Sequence, residues 1–84
     1  MNKSEYSNLR SLLCLLLRQM RIDSGLRQAD VARLLGEPQS LVSKYESGER
    51  RLDLIEVYHI CHIMGISLSQ FAARLEQAID ETQS

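Results

Sequence analysis

Residues 28–48 read QADVARLLGEPQSLVSKYESG and contain two short helical patterns separated by two residues. The first pattern covers Gln28 to Leu35, with apolar residues on one helical face, and Gly36 is a stop signal. The second covers Pro38 to Gly48, and proline suits a first helical turn because its missing N–H is not needed there. A joint of only Gly36 and Glu37 forces the two helices to cross steeply, which predicts a helix-turn-helix.

The outward face of the second helix is polar. Once the inward-facing residues are set aside, the remaining side chains are short or flexible polar groups: Gln39, Ser40, Ser43, Lys44 and Ser47. Glutamine can bind adenine through two hydrogen bonds, lysine can bind guanine or a phosphate, and serine can donate or accept. A plain solvated helix face is the alternative, although such faces more often carry Glu–Lys pairs.

The rest of the chain also repeats apolar residues at helical spacing, and no stretch shows the sustained alternation of a strand. The predicted fold is all-α, a compact five-helix domain covering residues 1–84. Two Ser/Asp-x-x-Glu/Gln capping boxes are expected before the fourth and fifth helices. The helices outside residues 28–48 are predicted at about Ser7–Asp23, Leu54–Met64 with Leu54 on the core face, and Leu68–Glu81, with Thr82, Gln83 and Ser84 frayed.

Charge and size bear on the partner. The formal net charge is −1, which counts mildly against nucleic acid because Lys and Arg supply most non-specific affinity. The basic residues are nevertheless concentrated between Arg21 and Arg51, whereas acidic residues dominate after Arg74. A chain of 84 residues builds a thin core, so pairing with a second copy would stabilise it. Surplus leucines of the first helix, with Leu75 and Ile79, are candidates for that contact.

The cysteines and the N-terminus indicate a cytoplasmic protein. Cys14 and Cys61 lie in apolar runs, where lone cysteines behave as buried apolar residues more often than as a bridge. The start of the chain lacks the features of a signal peptide. The apolar run at residues 12–17 is too short to span a bilayer, and no membrane partner is expected.

The order of residues is also similar to a known family. Residues 25–36, GLRQADVARLLG, and residues 38–51, PQSLVSKYESGERR, closely resemble the phage-repressor-type helix-turn-helix family, also called the XRE or Cro-repressor-like family. The resemblance covers roughly Leu16 to Phe71. It implies a lambda-repressor-like DNA-binding domain and a transcriptional regulator whose partner is double-stranded DNA.

The resemblance also implies roles for single residues. Base-reading positions of the family are matched by Gln39, Ser40 and Lys44. Positions that contact the DNA backbone are matched by Gln28, Ser43, Arg50 and Arg51. Arg21 and Glu46 match a pair that often forms an internal salt bridge, and a phosphate contact by Arg21 is the alternative.

Three positions depart from the family pattern. Arg27 replaces the usual Ser or Thr cap, so either the cap is lost, at a cost of ~1 kcal/mol, or Arg27 contacts a phosphate instead. Pro38 replaces another common capping residue, and Leu52 replaces a frequent proline. None of the three is a base-reading position, so the prediction of DNA binding stands.

Catalysis and metal binding are not indicated. His59, Cys61 and His62 invite a metal site, but Cys61 points with the core stripe and no second ligand pair has structural-zinc spacing. No catalytic set and no Gly-rich phosphate loop appear, so we expect neither an enzyme nor a cofactor.

Two functions remain open. The first is a homodimeric regulator, expected to be a repressor, that reads a palindromic operator in the major groove. The second is a protein-interaction module, such as an antitoxin or an accessory factor of a phage or mobile element. The acidic end of the chain, the wide leucine face and the modest net charge favour the second.

Overall fold

The computed structural model describes residues 1–83, which form five α helices and no β strand. This confirms the predicted five-helix, all-α architecture. The helices are α1 (Lys3–Asp23), α2 (Gln28–Leu35), α3 (Gln39–Ser47), α4 (Leu54–Ile63) and α5 (Leu68–Gln83).

The first and last helices extend beyond their predicted bounds. α1 begins at Lys3 because the side chain of Asn2 accepts a hydrogen bond from the backbone N–H of Glu5 at 2.8 Å. Its first turn is polar, so apolar periodicity could not reveal it. The predicted fraying of Thr82 and Gln83 was wrong, because both continue α5 and the Thr82 hydroxyl donates to the Ile79 carbonyl at 2.8 Å. Ser84, for which fraying was also predicted, lies outside the described residues.

Both predicted capping boxes are formed. The Asp53 carboxylate accepts from the Glu56 N–H at 2.8 Å, and the Glu56 carboxylate accepts from the Asp53 N–H at 2.9 Å. Ser67 and Gln70 exchange the equivalent pair of bonds at 3.1 and 3.0 Å before α5. Each box satisfies two backbone donors at a helix start, which fixes where α4 and α5 begin.

The core lies where all five helices meet, and its members are buried apolar side chains. They are Leu17, Met20, Val31, Ala32, Val42, Tyr45, Val57, Ile60, Cys61 and Phe71. α1 packs against α3 and α5, and α4 packs against α2 and α5. α2 also packs against α3, so α3 is supported from behind by α1 and α2.

The core assignment of Leu54 was wrong. Leu54 is 66% exposed, and its neighbours Ile55 and Tyr58 are also exposed. Val57 and Cys61, which helical spacing places on the same face as Leu54, are buried as that spacing predicts. Leu54 is also the first residue of α4, where no other helix covers it.

Among residues 1–83, no helix is long and apolar enough to cross a membrane.

Candidate nucleic-acid interface

The turn between α2 and α3 sets the direction of α3. Gly36 adopts a left-handed conformation with φ 71°, which ends α2 in a geometry that disfavours other residues. The N–H of Glu37 then donates back to the Ala32 carbonyl at 2.9 Å. Pro38, predicted to open α3, stands one residue before it in an extended conformation. The chain therefore changes direction within three residues, and α3 crosses α2 as in a helix-turn-helix.

One face of α3 is buried and the opposite face is polar and exposed. Val42 and Tyr45 are 0% and 1% exposed, respectively, and hold the helix to the core. The exposed residues of α3 are Gln39, Ser40, Ser43, Lys44 and Ser47. The Lys44 ammonium makes no ion pair with any of residues 1–83. The side chains at the predicted base-reading positions are thus accessible to a ligand.

A polar cluster behind α3, which we call the Glu46 cluster, joins three helices. Nε and Nη2 of Arg21 (α1) donate to the Glu46 carboxylate (α3) at 2.7 and 3.1 Å. The side-chain amide of Gln28 (α2) donates to the same carboxylate at 3.0 Å. The Glu46 side chain is 3% exposed and that of Arg21 is 12% exposed. The hydrogen bond to Glu46 is the main reason that the pKa of Arg21 lies above its ordinary value.

The cluster defines what Arg21 and Gln28 do in the isolated protein. A third bond of Arg21, from Nη1 to the Leu26 carbonyl at 2.9 Å, ties the guanidinium to the loop before α2. All three nitrogens of the Arg21 guanidinium therefore donate hydrogen bonds within the protein. Gln28 is half-buried and keeps one amide hydrogen beyond its bond to Glu46.

The start of α2 has no Ser or Thr cap, and a carboxylate of the first turn binds the backbone there instead. Asp30 accepts from the Arg27 N–H at 2.8 Å, and the Arg27 guanidinium donates to both oxygens of the same carboxylate at 3.1 and 2.9 Å. An arginine side chain has no acceptor, so the cap that the side chain of residue 27 would supply is lost. These bonds from Arg27, side chain first and backbone second, lower the pKa of Asp30 to about 2. The Arg27 side chain stays 77% exposed.

The two arginines after α3 differ in their environment. Arg50 donates to the Glu56 carboxylate at 2.7 Å and to the Arg51 carbonyl at 3.0 Å, and its pKa is raised chiefly by the bond to Glu56. Arg51 is exposed, with its guanidinium carbon 5.8 Å from the centre of the Tyr6 ring. Arg50 thus joins the loop to α4, while Arg51 carries the more accessible charge.

Comparison with known proteins decides the family. A family model described as helix-turn-helix matches residues 17–71, more than half of the chain. The chain belongs to the XRE family. A solved structure, an XRE-family like protein from Pseudomonas syringae pv. tomato str. DC3000, is 37% identical with a TM-score of 0.83, over 90% of this chain and 93% of that one. No curated protein sequence matches the chain.

Membership establishes the general activity. This XRE-family protein is a DNA-binding transcriptional regulator with a helix-turn-helix, and its family is a family of DNA-binding regulators that is not typically enzymatic. The sequence raised His59, Cys61 and His62 as possible metal ligands. Among residues 1–83, no group of three His, Cys, Asp or Glu side chains is placed to hold a metal ion. His59 and His62 are exposed while Cys61 is fully buried.

Two carboxylates at the interface of this XRE-family protein were missed by sequence reasoning. Asp30 lies at i+3 from Arg27, a spacing at which an ion pair on a helix could have been anticipated. Glu56 was recognised as half of a capping box but not as the partner of Arg50, because that contact spans the loop between α3 and α4. Both carboxylates offset positive charge near the predicted backbone contacts.

Proposed function

We propose that this XRE-family protein is a repressor that binds a palindromic operator as a homodimer and inserts α3 into the major groove. The observation that carries the proposal is the exposed polar face of α3, opposite the buried residues that anchor the same helix. An α helix fits the major groove, where base edges present distinct patterns of donors and acceptors.

Gln39, Ser40 and Lys44 are the proposed base-contacting residues. Gln39 opens α3, and the N-terminal part of a recognition helix reaches furthest toward the bases. The proposed backbone contacts come from Gln28, Arg27, Ser43, Arg50 and Arg51. Arg27 and Arg50 each keep guanidinium donors beyond those given to Asp30 and Glu56, and these donors are available for phosphate oxygens.

The homodimer is proposed to form through the outward face of α4. Leu54, Ile55 and Tyr58 are 66%, 73% and 51% exposed, and an exposed apolar patch of this kind marks an interaction surface. The Tyr58 and His62 rings stack on the same helix with centroids 6.1 Å apart. On the α1–α5 surface named from the sequence, Leu15 is strongly exposed but Leu75 and Ile79 are half-buried.

Two charge-introducing variants test the dimer contact. Sedimentation should give a dimer for the wild type and for Leu15→Glu, and a monomer for Ile55→Glu. A monomer for Leu15→Glu and a dimer for Ile55→Glu would show that the dimer forms through α1 and α5 instead. A wild type that stays monomeric at high micromolar concentration would remove the dimer altogether.

A selection of binding sites from random duplex DNA tests the operator. The expected motif is a palindrome whose half-sites lie about 10 base pairs, or ~34 Å, apart, since two α3 helices would enter successive major grooves on one side of the duplex. Enrichment of a single asymmetric half-site would contradict the homodimer. No enrichment at all would contradict the sequence-specific regulator.

The second candidate is a protein-interaction module, such as an antitoxin or an accessory factor of a phage or mobile element. The exposed apolar face of α4 also favours this function, because it could bind a different protein. This function would be supported if a co-expressed partner formed a stoichiometric complex with the wild type but not with Ile55→Glu, and if no DNA motif were enriched. A symmetric DNA motif with no such complex would reject it.

A cytoplasmic location is part of the proposal. Cys14 and Cys61 are both free and buried among apolar residues. Unpaired thiols are typical of proteins in reducing compartments, where the DNA target is also found.

A further inference from the structure

A cavity of about 370 Å³ lies between α1, α5 and the loop that follows α3. Its volume falls within the range of small-molecule pockets, about 300–1,000 Å³. Most of its wall is hydrocarbon, contributed by Leu9, Leu13, Leu17, Leu52, Leu75 and Ile79. None of the proposed base-contacting residues lines it, so the cavity is separate from the DNA-reading face of α3.

The charged groups of the cavity are all positive. Arg10, Arg50 and Arg51 line it, and no Asp or Glu does. Arg50 is held by Glu56, and Arg10 donates to the Gly48 carbonyl at 3.0 Å. Neither Arg10 nor Arg51 forms an ion pair with a carboxylate among residues 1–83. A guanidinium beside apolar walls favours an anion with planar oxygen acceptors, and a carboxylate is such an anion.

Burial distinguishes the floor of the cavity from its rim. Leu17 and Tyr45 are 1% exposed and form the floor, whereas Tyr6 and Arg51 are exposed and form the rim. The Tyr45 hydroxyl is buried and has no hydrogen-bond partner among the described residues. Burial is the main reason that its pKa is raised, so the hydroxyl remains a proton donor at neutral pH.

We propose that this cavity binds a small monocarboxylate with an apolar body, of the medium-chain alkyl class. The hydrocarbon fills the leucine-lined interior, and the carboxylate meets Arg51 at the rim. The match of an apolar wall with unpaired positive charge selects an amphiphilic anion over a neutral hydrocarbon or a cation. Arg51 is the anchor because it is exposed and carries no competing carboxylate.

Such a ligand would also weaken DNA binding. A carboxylate on Arg51 occupies the guanidinium that the proposed function assigns to a phosphate. This consequence rests on the proposed function, whereas the ligand site does not. The test of the site is therefore made without DNA.

The probe is octanoate, titrated into the isotope-labelled protein and followed by two-dimensional amide NMR. The expected result is saturable shifts at Tyr6, Gly48 and Leu75, with Ile55 on α4 unmoved. Octanol and octyltrimethylammonium share the chain but lack the carboxylate, and both should bind about tenfold more weakly or not at all. Equal binding of all three probes, or octanoate shifts centred on α4, would overturn the proposal.

Two variants test where the carboxylate and the hydrocarbon chain of the ligand bind. Arg51→Gln should weaken octanoate binding about tenfold, whereas Arg33→Gln, an exposed arginine on α2 outside the cavity, should leave it unchanged. Ile79→Trp fills the cavity from α5 and should abolish binding, provided that thermal unfolding shows a folded variant. Unchanged octanoate affinity in Arg51→Gln would overturn the assignment whether or not the protein binds DNA.

Discussion

The two sides of α3 use polar residues in opposite ways. On the inner side, Glu46 accepts three hydrogen bonds from Arg21 and Gln28, and its side chain is nearly inaccessible. On the outer side, Gln39 and Lys44 are exposed and available to another molecule. Buried polar groups must be satisfied within the protein, so they orient the helix, whereas accessible groups can be satisfied by a ligand. The comparison teaches that orientation and recognition are carried by different residues of one helix.

The largest expected effect is a loss of stability when the hydrogen bonds on the inner side of α3 are removed. Glu46→Ala leaves the Arg21 guanidinium poorly accessible and without its carboxylate, which should lower the free energy of unfolding by about 3 kcal/mol. Urea denaturation measures the change. Glu49→Ala, at an exposed glutamate beyond the end of α3, is the matched control and should unfold like the wild type. Equal stability of the two variants would mean that the Glu46 cluster does not hold α3 in place.

The next largest effect is expected on DNA binding, and not on stability, when a residue on the outer side of α3 is changed. Gln39→Ala should cost ~1–3 kcal/mol of affinity for the selected operator and relax specificity at one base position. Competition binding with operators substituted at each position measures both. Gln77→Ala is the control, because it removes a glutamine side chain of the same kind from an exposed position on α5. It should leave DNA binding unchanged. A uniform loss on every DNA sequence would show that Gln39 does not read a base.

Arg51→Gln should have a smaller and less specific effect. Loss of one phosphate contact weakens binding to all sequences about equally and reduces the slope of log affinity against log salt by about 1. Affinities measured over a series of salt concentrations give the slope. Arg74→Gln on α5 is the control for the loss of one positive charge. If both variants changed the slope equally, the effect would come from net charge and not from a contact.

The smallest expected effect is a dependence of stability on pH. The pKa of Asp30 is about 2 in the folded protein against an ordinary value of 3.8. Because folding lowers this pKa, the stabilisation is present above pH 4 and is lost as the pH falls toward 2. Asp30→Asn should therefore flatten the decline of stability in this window, measured by urea denaturation at a series of pH values. Asp80→Asn, on the exposed side of α5, should follow the wild type.

Much of the fold could be predicted because its signals are local. The bounds of α2 and the capping boxes before α4 and α5 depend on residues within one or two helical turns, and all were found from the sequence. The start of α1 was missed because a polar first turn has no apolar period. The exposure of Leu54 was missed because helical spacing places it on the same face as the buried Val57 and Cys61, although as the first residue of α4 it lies beyond the helices that cover them.

The candidate site was less accessible to prediction. The polar face of α3 follows from helical spacing and could be deduced. The contact of Arg50 with Glu56 and the cavity beside Tyr45 bring together residues of different elements, so their geometry depends on the packed structure. The resemblance to a family suggested the pairing of Arg21 with Glu46 and a bracing role for Gln28, whereas the sharing of one carboxylate by both residues depends on how α1, α2 and α3 pack together.

The central claim is that the outer side of α3 meets DNA, and an amide NMR titration with the selected duplex tests it most directly. We predict that the largest changes will occur at the Gln39 side-chain amide and the backbone amides of Ser40, Ser43 and Lys44. The amides of α5 should barely change. Changes confined to α4 and α5, with the Gln39 amide unmoved at saturation, would contradict the account.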